Sequence, residues 1–178
     1  MSDTVNEACQ TARDAGWSVS VVDPPEYCEN DAVRCLDSCA QNLCGCYGTS
    51  WSCPPGWTER LDSLLDRFDS AVLLERRFDI DPKDDAAMDR ASSELKTVMR
   101  RMYIVMRGAG IDCMGFADGR CDYCGVCSYP EPCRFPEQLV PSISATGTDL
   151  GKYLGRLGRG FSFDDDHVTL YGLLLYRL

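Results

Sequence analysis

Apolar and polar positions follow distinct rhythms along this chain, and each rhythm predicts an element. Ser18-Val19-Ser20-Val21-Val22 reads as a short strand that stops at Asp23-Pro24-Pro25. Ala71 to Phe78 reads as a second. Val168 to Tyr176 is apolar at odd and even positions alike, the pattern of a central strand covered on both faces. A 3.6-residue period puts Leu61, Leu64, Leu65 and Phe68 on one side of a helix from Trp57 to Asp69, capped by Thr58. The clearest helix runs from Pro82 to Arg107, with Asp81 as N-cap, Pro82 in the first turn, and Leu95, Val98, Met99, Met102, Val105 and Met106 along one face. The methionines read as core filler. Shorter helical stretches are expected over 137–143 and 149–157, and residues 1–17 form a short helix or a frayed lead-in ended by Gly16. The sum is an α+β fold, a small mixed or antiparallel sheet with flanking helices, built as a single domain over 1–178.

Two stretches follow no such rhythm and are cysteine-rich instead. The first is Cys35-x3-Cys39-x4-Cys44-x1-Cys46-x6-Cys53, with Tyr47 and Trp51 interleaved, Gly45 and Gly48 supplying turns, and Pro54-Pro55-Gly56 closing it. The second is Cys121-x2-Cys124-x2-Cys127-x5-Cys133, followed by Arg134-Phe135-Pro136. A Cys-x2-Cys loop is just long enough to turn the backbone and aim two sulfurs inward. Repeated at once, with a fourth thiol shortly ahead of a proline, it is how a chain wraps a polynuclear iron–sulfur cluster. A lone zinc ion more often takes two separate Cys-x2-Cys knuckles, since bonds of ~2.3 Å need no three-thiol run; zinc stays open as the alternative metal. The early stretch reads as a second metal loop, in which Cys35 and Cys39 share a face if 31–40 is helical. Cys9 and Cys28 read as small buried hydrophobes.

Composition narrows the setting. The N-terminus has neither the basic nor the apolar region of a secretory signal, so a cytoplasmic location is expected, where 12 cysteines bind metal more readily than they form disulfides. No apolar run reaches the ~20 residues of a membrane span. A net charge of −10 argues against a duplex nucleic-acid partner; it suits either a solvated surface or docking to a basic redox partner. The single histidine, His167, removes most histidine-centred chemistry. Lys152, Arg156 and Arg159 make a small basic stripe, read as a solvated face before a phosphate seat. Asp164-Asp165-Asp166 reads as a solvated turn before a hard-cation site.

With these residues assembled, the chain resembles a prokaryotic family of predicted metal-binding proteins, domain of unknown function 2284. The resemblance rests on Cys39 and Cys44 leading into Tyr47-Gly48-x4-Cys53-Pro54-Pro55, on Cys121 through Cys133-Arg134-Phe135-Pro136-Glu137, on Pro141-Ser142-Ile143-Ser144-Ala145, and on the terminal Tyr171-Gly172-Leu173-Leu174. It implies ligand roles for Cys39, Cys44, Cys53, Cys121, Cys124, Cys127 and Cys133, and leaves Cys9, Cys28, Cys35, Cys46 and Cys113 as extras. It implies metal binding and assigns no reaction.

Three functions fit this reading. One is electron transfer by one or two 4Fe–4S clusters, with Cys35 or Cys46 completing the early set. Another is an enzyme in which three early thiols leave one iron open as a Lewis acid toward a small-molecule substrate in hydrolytic or sulfur-transfer chemistry, with Tyr47, Asp37 or a spare cysteine nearby as acid or base. The third is a structural zinc protein.

Overall fold

The computed structural model describes residues 2–160, 163–164 and 166–178. Strand β5 (His167–Arg177) runs through its centre. One edge of β5 pairs antiparallel with β2 (Ser70–Phe78) over its whole length, from Ser70 opposite Tyr176 to Phe78 opposite Val168. The other edge is shared by β3 (Asp112–Phe116), which pairs near the C-terminal end, and the short β4 (Phe163–Asp164), which pairs at the start. With β1 (Ser18–Val22) outside β2, the order is β1-β2-β5-β3, antiparallel throughout.

Because Val168, Leu170, Tyr171, Leu173, Leu174, Leu175 and Tyr176 are all buried, β5 has no wet face and needs a layer on each side. Helices α1 (Asp3–Asp14) and α4 (Asp85–Gly108) supply the first, packing Val5, Ala8, Ala12, Leu95, Met99, Met102 and Met106 against Val72, Leu74 and Leu174. Helices α3 (Leu61–Arg67) and α5 (Leu150–Arg156) supply the second, with Leu64, Phe68, Tyr153 and Leu154 against Ala71, Leu73, Leu173 and Leu175. Burying one such side chain is worth ~1.5–3 kcal/mol, so these two faces carry most of the driving force. The fold is α+β as expected, and the methionines of α4 are core. Cys9 and Cys113 are buried in the same layer. Among the described residues no helix is long and apolar enough to cross a membrane.

Several boundaries differ from the expected ones, each for a local reason. Helix α4 starts at Asp85, because Asp81 turns its carboxylate onto the Lys83 amide (2.8 Å) and Asp84 takes over as the cap, accepting from the Ala87 amide at 3.0 Å. Helix α3 starts only at Leu61, with no side-chain cap; the Trp57 indole donates to the Glu59 carbonyl (2.8 Å) in the non-helical lead-in, so Thr58 caps nothing. The 137–143 stretch holds only a 3-10 turn, Pro136–Gln138. Pro141 offers no amide there, and the Ala117 amide bonds to its carbonyl (3.0 Å) while the Ile143 amide bonds back to Ala117 (2.9 Å). Lys152, Arg156 and Arg159 are not a free stripe: they pair with Asp31, Glu26 (2.5 Å) and Glu75. In the acidic turn, Asp164 and Asp166 flank the His167 ring at 2.9 and 2.8 Å, and Asp165 lies outside the described residues.

One close approach positions the metal loop. Helix α2 (Glu29–Ala40) carries Cys35 and Cys39 and lies against the turn Ser144–Thr146 through Gly147, whose φ is +83°. A Cβ there would sit 2.7 Å from Ala32 Cβ and 3.1 Å from Ala32 Cα, so both conformation and space require glycine. Gly147→Ala is expected to lower stability by about 2–4 kcal/mol, combining backbone strain with overpacking, and urea unfolding measures it.

Candidate metal centre

After α2 the chain has few apolar residues, and Leu43 among them is exposed, so its shape is set by turns and hydrogen bonds. Asn42 adopts φ +55°, and its side-chain oxygen accepts the Tyr47 amide at 2.9 Å; Gly45 and Gly48, both at φ +68°, reverse the chain on either side of Cys46. The Gly48 amide closes onto the Pro54 carbonyl (2.9 Å). Beneath, the fully buried Ser50 and Ser52 hydroxyls bond to one another at 2.8 Å, beside Cys53.

This path gathers Cys35 and Cys39 from α2 with Cys44, Cys46 and Cys53 from the loop around one cavity of about 620 Å³. Ser142, Ser144, Thr148, Asp149 and Arg34 also line it, along with Leu43, Tyr47, Pro54 and Leu150. Burial raises the Cys39, Cys46 and Cys53 thiols, that of Cys46 to about 11. The sulfurs add to this mutually: Cys44 and Cys46 act on Cys39, Cys44 and Cys53 on Cys46, and Cys44 and Cys39 on Cys53. Opposing it, the Arg120 backbone lowers Cys46, and the bonded hydroxyl pair of Ser52 and Ser50, with Ser52 Oγ 4.0 Å from Cys53 Sγ, lowers Cys53. Cys35 is raised by burial and then by the Asp149 carboxylate, with Cys39 next. All twelve thiols are free, and among the described residues no group of three or more His, Cys, Asp or Glu side chains is drawn in tightly enough to grip a single metal ion.

Cys121, Cys124, Cys127 and Cys133 are half-buried in an adjoining run of turns and lie outside that cavity. Gly125, at φ +69°, supplies the turn between Cys124 and Cys127. Two ion pairs pin the entry of this loop to α4. Lys96, almost wholly buried, reaches Asp118 at 3.6 Å and Ser92, and Arg100 bonds Asp122 at 2.7 Å. Arg100 also donates to the Gln138 carbonyl (3.0 Å), to Cys121 Sγ (3.4 Å), and stacks its guanidinium over Tyr123. Burial opposes the Asp122 charge, but Ser93, Arg100 and Lys96 outweigh it and hold its carboxyl below the usual range.

The two loops lock together. The Cys121 amide donates to Ser52 Oγ at 2.6 Å, the Ser142 amide to the Ser52 carbonyl at 3.0 Å, and the Trp51 indole to the Glu131 carbonyl at 2.8 Å. Trp51 also meets Tyr129 edge-on at 5.1 Å. The spacing-based reading missed Arg100, the Ser50–Ser52 pair and the hydroxyl residues Ser142, Ser144 and Thr148 on the cavity lining. A signal for Arg100 was present: Lys96 and Arg100 repeat at the same interval as Asp118 and Asp122.

Fold and site together define a cysteine-rich α+β protein whose sulfurs converge from a helix and a turn-built loop. The family model described as "Predicted metal-binding protein (DUF2284)" matches residues 20–176, and the chain belongs to that family. No curated protein and no solved structure matches it.

Arg100→Ala would strip Asp122 of its charged partner and free the start of the late loop. The expected cost is about 1.5–3 kcal/mol, the range for a charge-assisted hydrogen bond. Arg100→Lys should recover only part of it, because an ammonium cannot reproduce the fork that reaches Asp122, Gln138 and Cys121 together. Chemical denaturation of the three proteins measures both effects.

Proposed function

We propose that the protein carries iron–sulfur clusters and relays electrons to or from a redox partner. The observation that carries this reading is the set of five cysteines, Cys35, Cys39, Cys44, Cys46 and Cys53, on the lining of one cavity of about 620 Å³. A lone tetrahedral ion would draw its sulfurs to within roughly 3.8 Å of one another, given bonds of ~2.3 Å. A polynuclear inorganic core is the filling that suits a wider space with several thiols on its lining. Cys39, Cys44 and Cys53 with one further early thiol would hold one such group, and Cys121, Cys124, Cys127 and Cys133 a second. Bound there, a 4Fe–4S cluster supplies a one-electron couple.

The chain's own part is to hold and tune. The Arg100 guanidinium donates to Cys121 Sγ at 3.4 Å, and such an N–H···S bond stabilises the charged, sulfur-ligated state. Trp51 and Tyr129 pack at the seam between the loops and limit the entry of water. The net charge of −10 favours a partner with a basic docking face.

A second reading draws on the polar residues of the same cavity. Ser142, Ser144, Thr148 and Asp149 line it together with the cysteines, and such polar groups can orient a small substrate beside a metal with an open position.

Anaerobic purification with iron and acid-labile sulfide counts tests the proposal. The expected result is brown protein with about eight irons and as many sulfides per chain for two clusters, or about four of each for one. Stoichiometric zinc without sulfide would sink it.

A further inference from the structure

The two cysteine loops meet at one buried hydroxyl. We propose that the early and late cysteine sets take up metal as a single cooperative unit, and that Ser52 is the positioning residue that couples them. The proposal rests on the reading that both sets hold metal; it does not require that the metal be iron.

Geometry carries the argument. Ser52 Oγ accepts the Cys121 amide at 2.6 Å and lies 4.0 Å from Cys53 Sγ. One oxygen therefore stands between the backbone of a late cysteine and the sulfur of an early one. Ser52 is fully buried, and three further bonds fix it. Its hydroxyl pairs with Ser50 at 2.8 Å, its amide donates to Ser50 Oγ at 3.3 Å, and its carbonyl accepts the Ser142 amide at 3.0 Å. A second link runs beside it: the Trp51 indole donates to the carbonyl of Glu131, two residues before Cys133, at 2.8 Å.

Energetics turn these links into coupling. Few apolar side chains hold either loop, so a bound metal must itself offset the entropy of ordering the loop it enters. Metal in the early set fixes Cys53 and, with it, the neighbouring hydroxyl that holds the Cys121 amide. The late loop then starts from an ordered Cys121 and loses less freedom on binding. The same holds in reverse, because coupling between two binding sites is reciprocal, and its usual size is about 5- to 150-fold in affinity. Chains holding one metal group are then scarce, and a two-centre relay is present whole or not at all.

Native mass spectrometry of half-loaded protein tests this. Metal-free protein is given, anaerobically, half the metal needed to fill both sets, once as iron with sulfide and once as Co²⁺ alone, and chains with no, one or two metal groups are counted. Wild type is expected to divide between empty and doubly filled chains, with several-fold fewer singly filled chains than independent sites give. Ser52→Ala should raise the singly filled fraction several-fold, and Trp51→Phe, which keeps the ring and loses the indole N–H, should raise it less. Asp84→Ala, which uncaps α4 outside both loops, should leave the distribution as in wild type, so that lost stability alone does not mimic lost coupling. Three results overturn the proposal: a wild type with as many singly filled chains as independent sites give, a wild type that never holds more than one metal group, or a Ser52→Ala distribution matching wild type or Asp84→Ala. If Ser52→Ala does not fold, Trp51→Phe takes its place, and a distribution identical to wild type overturns the coupling. Cooperative filling by Co²⁺ without uptake of iron and sulfide overturns the iron–sulfur reading and leaves the coupling standing. Failure of both metals to load overturns both.

Discussion

Everything in this protein is placed by one strand that has no polar side. Strand β5 is buried over nearly its whole length, so folding must put a layer on each face of the sheet, and every other element is positioned by how it meets that demand. Strand β2 occupies one full edge and forces β3 and β4 to share the other. Helices α1 and α4 close one face, α3 and α5 the other. The cysteine loops leave this framework at fixed points. One runs from the end of α2 toward α3, and the other follows β3 and returns through 139–143 beside Ala117.

The loops themselves are held by a different physics. They carry few apolar side chains, and several that they have stay exposed: Leu43 is 90% accessible and Val126 80%. Neither loop can bury enough surface to offset the entropy of its own ordering. What shapes them is hydrogen bonding to each other and ion pairing to α4, through Ser52, Trp51, Lys96 and Arg100. Such segments gain most from a bound metal, whose bonds stabilise the folded arrangement alone. The placement also makes the loops one structure, since Ser52, next to Cys53, holds the amide of Cys121.

Legibility followed the range of the forces involved. The central strand, β1, β2 and the long apolar stripe of α4 could be read directly, because period-2 and period-3.6 burial leave their mark on the order of residues. Helix ends were less legible: at Asp81 and Asp84 two good caps compete, and the first spends its carboxylate on Lys83. The supposed helix over 137–143 failed because the backbone groups of 141–143 bond to Ala117 and Ser52, partners distant in the chain and invisible to a local pattern. Similarly, Lys152 and Arg156 stay exposed to solvent as expected, but the carboxylates that pair with them and with Arg159, namely Asp31, Glu26 and Glu75, are distant in the chain.

By itself the order of residues determined that the chain is α+β, that one strand lies at its centre, and that two cysteine-rich stretches stand apart from the core, since composition and periodicity are local properties of the chain. Tertiary structure decided which sulfurs share a space. Spacing drew attention to the late Cys-x2-Cys-x2-Cys run, whereas the cavity belongs to the early cysteines, two on a helix and three on a loop. That convergence depends on α2 lying against Gly147 and on Ser52 tying the loops, contacts between residues about 70 to 115 positions apart. Only chain closure in three dimensions, under the demand to cover both faces of β5, creates them.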